Sequence, residues 1–263
     1  MSERNCGESV GMSSYNPQRT RNIFSAVSKK PFKLSRSKIQ DFLDCRRCFY
    51  LDRRCGTGQP GSLPFTLNTA VDRLLKTEFD GYRAKKQPHP LMIEHGINAI
   101  PFAHPELDDW RMNLKGIEVF HEPTNFIVTG AIDDLWINSE EELIVVDYKA
   151  TSTTKEITLD EDYRQSYKNQ MEIYQWLLRQ KGFVVSKTGY FVYCNGDAAK
   201  ECFDGRLEFA ISVIPYIGDD SWVESTLFEI RQCLQKEDFP KAGESCDFCN
   251  YRIGARKHLK DHE

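Results

Sequence analysis

No stretch of this 263-residue chain stays apolar for the length that a bilayer requires, and the N-terminus lacks the apolar core of a signal peptide. The expectation is a cytoplasmic protein with no membrane partner. A phosphate-cradling G-x-x-x-x-G-K loop is also missing, which excludes an ATP-driven motor by itself, and no internal repeat points to a solenoid. Positive charge is not in excess. The net charge is -4, so any nucleic-acid contact must come from local basic patches. The nine cysteines are odd in number, which argues against a disulfide scaffold and for metal ligands or buried thiols.

What the chain does have is an ordinary globular composition, 40% hydrophobic and 28% charged, enough for one large domain or two small ones. Residues 1–32 are rich in Ser, Asn, Arg and Lys with almost no apolar periodicity and read as a disordered tail, leaving a folded domain over 33–263. Order is expected to begin at "KLSRSKIQDFLDCRRCFYL". There Ser37 followed by Gln40 predicts a capping box, and Ile39, Phe42 and Leu43 recur at helical spacing. A Gly/Pro loop at 56–64 precedes an amphipathic helix over 65–86. Residues 126–137 and 143–150 predict a hairpin, and 160–181 a helix closed by Gly182. Strands are expected over 188–195 and 207–214, and a helix over 220–237. Residues 88–125 mix Pro, His and short apolar pieces and give no assignment.

The chemistry concentrates where the apolar run Leu143–Val146 ends in Asp147, Tyr148 and Lys149. Side chains alternate along a strand, so Asp147 and Lys149 share a face. If Ile137 pairs with Leu143 across a turn at Asn138–Glu142, antiparallel pairing sets Asp133 opposite Asp147 and on that same face. Two opposed carboxylates repel, unless a divalent cation is held by their oxygens. Such a site suits metal-assisted phosphodiester hydrolysis, with Mg²⁺ or Mn²⁺ bound by the carboxylates and Lys149 stabilising charge on the phosphate. An isolated D-x-K, a common tripeptide, reads first as a surface ion pair. It is the preceding "GAID" at hairpin distance, and the apolar strand carrying the triplet, that favour a site.

"GAIDD", "IVVDYK" and "QMEIY", in that order, resemble the PD-(D/E)XK nuclease superfamily, and most closely its branch with the RecB and AddB nuclease domains and the CRISPR-associated Cas4 nucleases. "LSRSKIQDFLDCRRCFYL" is similar to the S-x-S-x-x-x-x-F-x-x-C-P segment of that branch. The resemblance implies an α/β, restriction-endonuclease-like fold, a mixed central sheet flanked by helices. It assigns the active site to Asp133, Asp147, Lys149, Gln170 and Tyr174. It also implies a metal-ligating residue on the first long helix, a histidine in the branch, for which this chain offers Asp72; Glu78 lies nearer the centre of the apolar stripe. Gln170 and Tyr174, four residues apart, share a helix face.

Cys45 and Cys48 stand near one end of the ordered chain and Cys246 and Cys249 near the other, each pair at the C-x-x-C spacing that lets two thiolates bind one metal. A Cys₄ clasp joining the two ends is expected. Spacing leaves Zn²⁺ and an iron–sulfur cluster both open. The resemblance points to iron–sulfur, although Ala255 stands where the last cysteine of the branch would be, with Cys48 as the replacement ligand. Arg36, Lys38, Arg46 and Arg47, with Arg53 and Arg54, give the first helical region a local positive field that reads as a DNA-phosphate contact or as a solvated face; Phe49 and Tyr50 among them suit base stacking or core packing. The reading that joins these features is a metal-dependent DNA nuclease. The resemblance implies single-stranded ends as substrate and a role in repair, recombination or defence. The rivals are a non-catalytic nucleic-acid-binding relative, a nuclease subunit served by a partner helicase, and a metal-binding structural protein.

Overall fold

The structure is a computed structural model that describes residues 18–61, 65–161 and 164–259. Among these residues the chain runs β1 (Phe32–Ser35), α1 (Arg36–Asp44), α2 (Arg46–Arg53), α3 (Thr66–Lys85), α4 (Pro90–Glu94), β2 (Ala99–Pro101), α5 (Leu107–Trp110), β3 (Ile117–His121), β4 (Phe126–Gly130), β5 (Asp134–Asn138), β6 (Leu143–Thr151), α6 (Gln165–Gln180), β7 (Thr188–Gly196), β8 (Phe209–Ile217), α7 (Ser221–Gln235) and α8 (Asp247–Leu259).

The apolar alternation of β6 decides the architecture. Leu143 and Val145 face one buried cluster, with Met171, Ile173 and Leu177 of α6, while Ile144, Val146 and Tyr148 face another, with Leu75 and Phe79 of α3. A strand buried on both faces needs cover on both sides, and the two long helices supply it. The sheet around β6 has five strands in the order β2-β5-β6-β7-β8; β6 and β7 are parallel and the other pairs antiparallel. A second sheet, ordered β1-β4-β3, pairs β1 parallel and β3 antiparallel to β4 and packs with α6. This mixed α/β arrangement is the restriction-endonuclease-like class expected from the sequence.

Several local expectations change. Residues 126–137 are not one strand. β4 belongs to the small sheet, and the chain crosses at 131–133 before β5 joins the large one. No Ser37–Gln40 capping box forms, because the helix starts at Arg36 with Ser35 at its N-cap, and the Gln40 amide donates instead to Asp44. Packing begins before residue 33, since Phe24 is buried edge-on against Phe32; residues 1–17 of the expected tail lie outside the described residues. Residues 88–125, unassigned from sequence, hold α4, β2, α5 and β3.

The start of β5 is anchored by a carboxylate that faces α3. Asp134 is fully buried and accepts from the guanidinium groups of Arg83 and Arg111, the latter at 2.7 Å, and from the Tyr148 hydroxyl at 2.7 Å. Removing one partner of a buried ion pair strands the other charges. Asp134→Ala should therefore lower the unfolding free energy by about 3 kcal/mol or more in chemical denaturation; a loss below about 1 kcal/mol would mean the network adds no more than an exposed pair.

Candidate active site

The expected hairpin register is present. Ile137 pairs with Leu143 and Asp134 with Val146, which leaves Asp133, one residue before β5, next in line towards Asp147. Register is set by the turn, where the Asn138 side chain accepts the N–H groups of Glu140 at 3.1 Å and Glu142 at 2.8 Å. Parity then separates two neighbouring acids. Asp134 turns to the α3 side as a structural anchor, and Asp133 comes to the cleft. Arg111, already on Asp134, also donates to the Asp133 carbonyl at 3.1 Å and so fixes the backbone at the crossing.

Asp133, Asp147 and Lys149 meet midway along β6, just past its pairing with β5. The Asp133 carboxylate accepts the Tyr148 N–H at 3.0 Å. Asp147 is fully buried; one oxygen is paired with the Lys149 ammonium and the other accepts from the Gln170 amide at 2.7 Å. That amide also reaches the Tyr174 hydroxyl at 3.1 Å, so Gln170 and Tyr174 act as one support behind Asp147. Burial, with Asp133 adding to it, pushes the Asp147 carboxyl up to about 7 against the lowering effect of Lys149. Burial pulls on Lys149 in the opposite sense, but Asp147 and Asp133 outweigh it and hold the amine as an ammonium. Its Nζ lies 4.7 Å from the centre of the Tyr167 ring.

Asp72 reaches the same cleft from α3. It is joined to Asp133 by Lys76, whose ammonium is 2.9 Å from Asp72 and 3.3 Å from Asp133. Burial and Asp133 raise the Asp72 carboxyl, and Lys76 offsets part of that rise. Glu78 points elsewhere, exposed and 3.0 Å from His89. The cavity here has a volume of about 500 Å³ and is lined by Phe65, Asn68, Asp72, Asp133, Lys149 and Tyr167 among others, with Asp147 buried behind Lys149. Its acidic oxygens are the donors that hard divalent cations prefer. Lys76 and Lys149 stand among the carboxylates, and among the described residues the compact ligand group is a different one, the four clasp cysteines. Lys76 was missed in the sequence, though its place four residues after Asp72, on one helix face, was the available signal.

Cys45, Cys48, Cys246 and Cys249 come together as expected, from the α1–α2 junction and the start of α8. Cys194 and Cys233 are buried apart from them, and Cys55 and Cys202 are exposed. The basic residues divide. Arg36 lines a second cavity of about 280 Å³ with Gly130 and Tyr174, and Asn113 borders both cavities. Lys38 is paired with Asp41 at 2.6 Å and Asp52 at 2.8 Å, Arg46 is paired with Glu229, and Arg47 donates to the Pro240 carbonyl at 2.8 Å. Phe49 and Tyr50 are buried in the main core, so they pack rather than stack on bases.

The sequence model described as the PD-(D/E)XK nuclease superfamily matches residues 66–253. No curated protein matches the chain. Among solved structures, the crystal structure of SSO0001 is similar over 84% of each chain, with 14% identity and a TM-score of 0.38.

Gly130, the last residue of β4, packs directly against α6. A Cβ there would stand 2.7 Å from a ring carbon of Tyr174 and 3.0 Å from Leu177, so the strand and helix meet this closely only at glycine. Gly130→Ala should force Tyr174 aside and cost about 1–3 kcal/mol, the scale of overpacking in a core. Thermal unfolding would measure it, and an unchanged transition would mean that the ring has room to move.

Proposed function

This chain belongs to the PD-(D/E)XK nuclease superfamily, a group of phosphodiester-cleaving enzymes, and we propose that it is a divalent-metal-dependent DNA nuclease acting at the Asp133–Asp147–Lys149 cleft. The observation that carries this reading is the convergence of two carboxylates midway along β6 with an ammonium beside them. Asp133 and Asp147, with Asp72 on the facing helix, are the residues that would hold Mg²⁺ or Mn²⁺; their all-carboxylate donor set fits a hard cation. Such a cation, when bound, activates water and polarises the phosphoryl oxygen.

The chain's own residues do the rest. Lys149, kept as an ammonium by its acidic neighbours, stabilises negative charge on the phosphate as the transition state forms. Gln170 holds Asp147 in orientation, and Tyr174 holds Gln170. The Tyr148 N–H fixes Asp133. Lys76 neutralises Asp72 and Asp133 and must withdraw when another cation takes its place.

Single-stranded DNA is the substrate that the rim of the cleft favours. Phe65 is 73% exposed at the edge of the cavity, with Tyr167 also lining it, and exposed aromatic faces stack on unpaired bases. Among Arg36, Lys38, Arg46 and Arg47, Arg36 has the position that best supports DNA contact, beside Tyr174 in the adjoining cavity; the other three hold structural partners. Iron–sulfur and zinc are the two candidate occupants of the clasp, which ties the chain's ends together apart from the cleft. Roles in repair, recombination or defence, and service to a partner helicase, fit a nuclease that carries no G-x-x-x-x-G-K motor loop in its sequence. Among the described residues no helix is long and apolar enough to cross a membrane.

Purified protein should cut single-stranded DNA with Mg²⁺ or Mn²⁺, faster than duplex, and stop when EDTA removes the metal. Lys149→Ala should lower the rate by a factor of 100 or more, on the order of an electrostatic stabiliser's contribution, while circular dichroism shows a folded chain. An unchanged rate in that variant would remove Lys149 from the chemistry. DNA binding without cleavage by the wild type would favour the non-catalytic relative.

A further inference from the structure

The four clasp sulfurs lie at the spacing of ligands that share one ion. Cys45 Sγ is 3.8 Å from Cys249 Sγ, and Cys48 Sγ is 3.6 Å from the sulfurs of both Cys246 and Cys249. All four fall within 4.8 Å of one another. Four thiolates on one tetrahedral ion stand at corners whose separation is about 1.6 times the bond length, or about 3.8 Å for zinc–sulfur bonds of about 2.3 Å.

An iron–sulfur cluster makes a different demand. In a four-iron cube each cysteine binds its own iron, so every sulfur pair is wider than the single-ion separation by the whole iron–iron distance. The 4.8 Å limit leaves about 1 Å for that distance, which no pair of metal atoms can meet. A two-iron cluster binds two cysteines per iron, and its cross pairs are widened in the same way. The ligand pattern agrees with the distances. The group is two C-x-x-C pairs, the ligand spacing of zinc ribbons.

The surroundings also suit a closed structural site. Cys45, Cys48 and Cys249 are buried, and all four coordination positions are filled by sulfur, as in zinc sites with no open position. The Gly243 N–H donates to Cys45 Sγ at 3.2 Å, the kind of outer contact that orients a thiolate ligand. Gly243 has to be glycine for this approach, since a Cβ there would stand 2.5 Å from the Asp44 carbonyl oxygen.

We propose that the clasp holds a single tetrahedral Zn²⁺ ion and no iron–sulfur cluster, and that this ion locks α8 to the α1–α2 junction. The clasp shares no residue with the carboxylate cleft, so its metal content is read separately from DNA cleavage.

The test uses the full chain, produced with both iron and zinc supplied and purified without oxygen. Elemental analysis should find one zinc per chain, with no acid-labile sulfide and no visible absorption. Exchange of zinc for Co²⁺ should give the intense thiolate-to-cobalt and tetrahedral ligand-field bands of a four-sulfur site. Cys48→Ser should lose the stoichiometric zinc, while Cys194→Ser keeps it. If Cys48→Ser fails to fold, the wild-type metal content and cobalt spectrum decide alone. Iron with labile sulfide, one iron per chain without sulfide, or folded wild-type protein without metal would each overturn the proposal.

Discussion

Two like charges brought together by strand pairing are the constraint on which the cleft depends. The β5–β6 register brings Asp133 towards Asp147 just past the core residues Leu143–Val146 of β6. Opposed carboxylates weaken a hairpin unless something compensates them. The compensation is built from every side: Lys149 and Gln170 on Asp147, the Tyr148 N–H and Lys76 on Asp133. Behind them, Asp134 with Arg83 and Arg111 pins the backbone on the opposite face. Sheet, helices and buried ion pairs together hold in place an arrangement that the acids alone would push apart.

The clasp solves a separate problem. α8 buries little of itself; Phe248, Tyr251, Ile253 and Leu259 are exposed, and Cys249 is its buried residue. With the proposed ion on the four cysteines, ligand bonds would position this helix, and metal binding energy would become folding energy there. Loop-closure entropy grows slowly with length, so joining residues about two hundred positions apart is thermodynamically feasible.

Much of this was legible because the governing signals are local. Alternation along 143–149 specified which side chains share a face, and one turn, Asn138–Glu142, fixed the partner of Asp147. The cysteine pairs announced themselves by spacing. What escaped was decided by long-range packing. Register separates Asp134 from Asp133, but its role as an anchor shows only once Arg83 of α3 and Arg111 beyond α5 reach it. Nothing near 131–133 marks the passage from one sheet to the other. The basic residues of α1 and α2 read as one patch, but their partners Asp52, Glu229 and Pro240 become visible only in the fold. Ser37 met the local rule for a helix cap, yet the parallel pairing of β1 with β4 extends to Ser35 and starts the helix there.

The central claim is that the carboxylate cleft, where Lys76 stands between Asp72 and Asp133, is a divalent-cation site. Anomalous diffraction from crystals soaked in Mn²⁺ tests it most directly. The expected result is a manganese peak within bonding distance of Asp133 and Asp147, about 2.0–2.3 Å for a hard divalent ion on oxygen, with the Lys76 ammonium withdrawn from between Asp72 and Asp133. A cleft without manganese at millimolar Mn²⁺, with Lys76 still bridging the two acids, would contradict it.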